Sequence, residues 1–123
     1  MGRELLVTGH KYPAFVLLDD RGRSSVREIV DESHLAERKK FVARLQALVD
    51  YGPRATPNMM PLQGGQGLWK LKASDHLRIW FFCDGRDIIL AHAIRETKRE
   101  EDPSWLRKAL AMMWAYWAER NNQ

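Results

Sequence analysis

A chain of 123 residues is the size of one domain, and a 45% apolar share with 10% aromatic residues excludes a disordered polypeptide. Lys and Arg outnumber Asp and Glu by 20 to 16, a net charge of +4, which biases the partner toward phosphate-bearing or acidic molecules and leaves a merely basic surface open as the alternative. The lone Cys83 has neither a disulfide partner nor Cys/His spacing for zinc, and no apolar run nears the roughly 20 residues of a membrane span, so a soluble, cytoplasmic protein of one domain over residues 1–123, without metal or cofactor, is expected.

Residues 14–18 are continuously apolar and run into Asp19-Asp20-Arg21-Gly22, the pattern of a strand ending in a glycine turn. Ser25 and Glu28 have capping-box spacing and predict a short helix that turns Val26, Ile29 and Val30 inward. Over residues 35–51 the apolar Phe41, Val42, Leu45, Leu48 and Val49 recur at three and four, with Glu37, Arg38, Lys39, Lys40 and Arg44 between them, so a second amphipathic helix is predicted, stopped by Gly52-Pro53. Residues 54–67, with little periodicity, predict a connecting loop. Three apolar segments at 68–72, 77–83 and 87–94, separated by short turns, predict an antiparallel meander whose last strand is buried on both faces. A mixed-charge run at 95–102 precedes Asp102-Pro103, an N-cap with a first-turn proline. The helix it opens carries two adjacent apolar stripes, Leu106, Leu110, Met113 and Trp117 beside Trp105, Ala109, Met112 and Tyr116, so that a wide core contact and a partly exposed dimer surface both remain open.

Alternation along the meander places Lys70 and Lys72 on one face of their strand and Trp69 and Leu71 on the other. Arg78, Trp80 and Phe82 likewise share a face, so a suitable register sets Arg78 beside the two lysines. Three like charges this close repel, a cost that a bound phosphate would offset; the plain alternative is three cations solvated on an open sheet face, where Arg78 contributes little to stability. Arg95, Lys98 and Arg99 then add cations near the mouth of the same face, interleaved with Glu96, Glu100 and Glu101. His76 falls in a turn and His92 at the end of an apolar strand, where a histidine satisfied in the core is the ordinary outcome.

The run Gly67-Leu68-Trp69-Lys70-Leu71-Lys72, then Leu77-Arg78-Ile79 and Thr97-Lys98-Arg99-Glu100, resembles the sheet motifs of the RelE/HigB group of bacterial toxins. The order strand, two helices, loop, three strands, terminal helix is similar to that group as well. The resemblance implies an α+β, RelE-like fold and a metal-independent endoribonuclease, the toxin of a type II toxin-antitoxin pair acting on ribosome-bound messenger RNA. Its ribose 2′-hydroxyl would attack the adjacent phosphate, with Lys70, Lys72, Arg78 and Arg99 in the catalytic positions and Arg95, Lys98 and Trp105 binding substrate. Trp105 stands where RelE-type toxins carry a tyrosine, and since indole stacks on a base but cannot transfer a proton, the leaving-group acid would be His76, His92 or a cation. HigB-like relatives commonly carry Glu then Arg where Lys70 and Lys72 stand and a lysine pair where Arg95-Glu96 stand, so the alignment after Ile94 is open by a residue or so and Arg95, Lys98 and Arg99 compete for one role. Implied partners are a cognate antitoxin, messenger RNA and the ribosome, with a homodimer possible and no membrane. A ParE-like gyrase inhibitor and a non-catalytic, phage-derived binding module of the same fold are the alternatives.

Overall fold

The computed structural model describes residues 2–55, 58–61, 67–96 and 103–121. They form a mixed α+β structure with the order β1 (Arg3–Thr8), β2 (Pro13–Leu17), α1 (Ser25–Glu32), α2 (Leu35–Tyr51), a 3-10 turn (Pro53–Ala55), β3 (Met59–Pro61), β4 (Trp69–Lys72), β5 (Leu77–Asp84), β6 (Asp87–Arg95) and α3 (Pro103–Asn121). The six strands make one sheet in the order β1-β2-β6-β5-β4-β3. All neighbours are antiparallel except β2 and β6, whose parallel pairing (Val16 opposite Leu90) closes a long crossover through α1, α2 and the other strands.

The predicted strand, helices and meander are present, but the strand count is six rather than four. Both additional strands, β1 and β3, lie at the sheet edges. Edge strands bury little and so carry weak alternation: Leu5 of β1 is exposed, and β3 is three residues ending on Pro61, which an edge tolerates because proline has no N–H to offer a neighbour. The α1 cap falls one residue earlier than the Ser25 box, since Ser24 accepts from the Arg27 N–H. Helix α2 runs over the expected residues, and Gly52, at φ 95°, donates its N–H to the Leu48 carbonyl as the helix stops.

Two cores flank the sheet. On one face α1 and α2 pack Val26, Phe41, Leu45, Leu48 and Val49 against Val16, Leu71, Ile79, Phe81 and Leu90. On the other, α3 packs Ala109, Met113 and Tyr116 against Leu17, Trp80, Phe82, Ile89 and Ala91, with Trp105, Leu106, Leu110, Met112 and Trp117 beside them. Both apolar stripes of α3 therefore lie on the sheet. β6 is buried on both faces, which explains its unbroken apolar run.

Candidate functional site

Strands β4 and β5 pair in a register that sets Lys72 directly opposite Arg78 and Lys70 opposite Trp80. Leu71 and Ile79 go to the helical core of α1 and α2, whereas Trp80 and Phe82 go to the α3 side, so Lys70, Lys72 and Arg78 share the α3 side as alternation requires. They do not share one environment. Lys72 is exposed, Lys70 is only 9% exposed between Met60 and Trp80 on its neighbouring strands, and the Arg78 side chain is 13% exposed.

The guanidinium of Arg78 is heavily committed. Its Nε lies 3.0 Å from Glu96 Oε2, and Nη1 donates to the Ser74 carbonyl at 2.7 Å and, more weakly, to that of Leu77 at 3.3 Å. Nη2 donates to the Asp75 carbonyl at 3.1 Å. Arg78 thus ties down the β4–β5 turn and pairs with a buried carboxylate, which departs from the solvated cation expected above. Glu96, an interleaved anion in the sequence, is the partner that reading did not assign; its signal was its position, two residues beyond Ile94, the register partner of Arg78.

Arg95 lies on the opposite face. A β-bulge in β6 interrupts the pairing with β5, so that Trp80 faces His92 while Phe81 faces Leu90, leaving Ala91 unmatched. Every residue after it is turned over relative to strict alternation. Arg95 consequently reaches the α2 side, 2.6 Å from Glu37 Oε1 and 2.7 Å from Ser33 Oγ, and Glu96 takes the place beside Arg78. The expectation that Arg95 adds a cation to the lysine face is corrected by that one extra residue. Glu37 is buried and also accepts from Ser74 Oγ at 2.9 Å. Burial pushes its pKa up, but hydrogen bonds from Arg95, Ser74 and Ser33 and the charge of Arg95 outweigh this and hold it below the ordinary carboxylate range.

The same bulge sets the His92 ring against Trp80, 6.3 Å between centroids and 23° from parallel. Its Nδ1 is 2.8 Å from Ser25 Oγ, which also accepts from the Ala93 N–H. Burial, with the charge of Lys108 adding to it, lowers the His92 pKa to about 4. At 6% exposure, bonded to Ser25 and stacked on Trp80, His92 sits as a histidine satisfied in the core. His76 is exposed in the β4–β5 turn, two residues from Arg78, as expected. Trp105 is half-buried against the α3-side core. Lys98 and Arg99 lie outside the described residues.

Among the described residues no group of three or more His, Cys, Asp or Glu could hold a metal ion, and no helix is long and apolar enough to cross a membrane. What the site offers is one exposed ammonium, a second enclosed one, and a guanidinium fixed in place between them and the turn. No protein-family model matches the chain, and no curated protein does either.

Proposed function

We propose that this chain is a metal-independent endoribonuclease of the RelE/HigB type, the toxin of a toxin-antitoxin pair, acting on ribosome-bound messenger RNA. The observation that carries the reading is the register of β4 and β5, which makes Lys72 and Arg78 direct cross-strand partners with Lys70 on the same face. The RelE-like fold belongs to the same proposal, supported by the order β2, α1, α2, the β4–β6 meander and α3.

In this reading the ribose 2′-oxygen attacks the adjacent phosphorus as a lysine amine takes its proton, the bond from phosphorus to the 5′-oxygen breaks, and the products are a cyclic phosphate and a 5′-hydroxyl. The turn contacts hold the Arg78 guanidinium in a fixed place beside Lys72, so charge developing on the phosphate meets a cation already in position. With His92 neutral and enclosed, His76 or a cation supplies the proton to the leaving oxygen.

Primer extension on a defined message in a purified translation system tests the proposal. Cleavage at codons in the ribosomal A site is expected, reduced about 100-fold or more by Lys72→Ala, a size ordinary for loss of an acid-base group. An intact message in the presence of folded wild-type protein sinks the nuclease reading. The Glu96–Arg78 pair favours a second one, a non-catalytic binding module of the same fold, because a guanidinium already neutralised has less to offer a phosphate. Gyrase-dependent DNA breakage would instead identify a ParE-like inhibitor.

A further inference from the structure

Helix α2 carries cations on its outer face, of which Arg44 is bonded to the backbone of β4 and Lys40 approaches one exposed carboxylate. Lys40 and Arg44 are four residues apart, hence one turn apart on one face, and the exposed Tyr51 continues the same stripe two turns on. The nearest carboxylate on the helix, Glu37, is turned inward and engaged by Arg95 and Ser74. Among the described residues Lys40 makes a loose approach, 3.9 Å, to the exposed Asp75, and contacts of that kind contribute little.

Two contacts join this stripe to the β4–β5 site. Arg44 Nη1 donates to the Lys72 carbonyl at 2.6 Å, binding α2 to the end of β4. The Asp75 that faces Lys40 through its carboxylate offers its carbonyl to Arg78. Lys40, Arg44, Lys72 and Arg78 therefore follow one another as a band around the end of β4, from the α2 side of the sheet to the α3 side, and with Asp75 facing Lys40 and Glu96 paired to Arg78 the four cations and two anions leave it a net charge of +2. Repulsion along such a band is relieved by a polyanion with charges spaced along its length, which a phosphodiester backbone provides. The exposed phenol at its far end is a platform on which a base can stack.

We propose that the α2 stripe of Lys40 and Arg44, ending on Tyr51, is a track for an RNA phosphate backbone leading to Lys72 and Arg78. The inference rests on the ribonuclease reading for its choice of RNA. Its test uses 2′-O-methyl RNA, which lacks the attacking hydroxyl, so that binding is read without cleavage.

Affinity for a 20-nucleotide single strand, measured by fluorescence anisotropy from 50 to 200 mM KCl, should fall with salt, with a log-log slope of about −0.7 for each phosphate neutralised. Lys40→Gln should flatten that slope by about 0.7 and Lys40→Gln/Arg44→Gln by about 1.4, with the melting temperature recorded for each. Because Arg44 also braces β4, the Lys40 variant alone decides the matter should the double variant unfold. Unchanged slopes in the folded variants overturn the track. Poly-glutamate bound as tightly as RNA through the same residues overturns it too, assigning the band to an acidic protein. A larger effect on a ribosomal RNA hairpin than on the single strand would support the track and name its source; the reverse would support it with the message as source. Patch-dependent binding beside an uncleaved message would sink the nuclease reading alone, and cleavage with unchanged salt slopes would sink the track alone.

Discussion

Arg78 shows how one side chain can serve the candidate site and the fold together. Its guanidinium holds three carbonyls around the β4–β5 turn and neutralises Glu96, itself buried. Arg78→Ala should therefore cost on the order of 3 kcal/mol in urea denaturation, because it strands a buried carboxylate. Exposed Lys72→Ala should stay within about 0.5 kcal/mol of wild type, and an Arg78→Ala protein equally stable would make that guanidinium a surface group. His92 makes a prediction of opposite chemistry. With a folded pKa of about 4 against an ordinary 6.5, the unfolded chain binds the extra proton between those values. Stability is thus unaffected above pH 6.5 and falls as pH drops toward 4, by on the order of 3 kcal/mol. His92→Phe should remove that slope in chemical denaturation between pH 6.5 and 4; a slope that persists would place the proton uptake elsewhere.

At the scale of elements, the bulge in β6 decides which charges meet. It turns Arg95 toward Glu37 and Ser33 and brings Glu96 to Arg78, so both ends of the α1–α2 junction and the β4–β5 turn are held through polar groups enclosed on either face of the sheet. The Glu37–Arg95 pair should be strongly coupled. Glu37→Ala should cost on the order of 3 kcal/mol, and the Glu37→Ala/Arg95→Ala pair less than the sum of the two single losses, since each single change leaves the other group without its charge partner. Additive losses in a double-mutant cycle would mean the two side chains act independently. Helix α2 was legible in full from its apolar spacing and its Gly52-Pro53 stop, because both are local signals. The bulge was not, because nothing in Ile88-Ile89-Leu90-Ala91-His92 distinguishes a strand with one extra residue from a regular strand enclosed on both faces.

For the whole molecule, the two cores share one sheet, and neither can be lost without exposing the apolar back of the strands that form the other. Unfolding should then be a single transition, with tryptophan fluorescence, dominated on the α3 side by Trp80, Trp105 and Trp117, coinciding with far-ultraviolet circular dichroism across urea. Separated midpoints would show α3 leaving first. The residues by themselves determined the elements that are long or strongly periodic, the stops between them, and the common face of Lys70, Lys72 and Arg78, because period and turn chemistry act over a few neighbours. The tertiary structure alone decided the edge strands β1 and β3, the enclosure of Lys70, the pairing of Arg78 with Glu96 and the turning of Arg95 to the other face. Those depend on which backbone lies alongside and on where a register slips, and both are set by contacts between segments far apart in the chain.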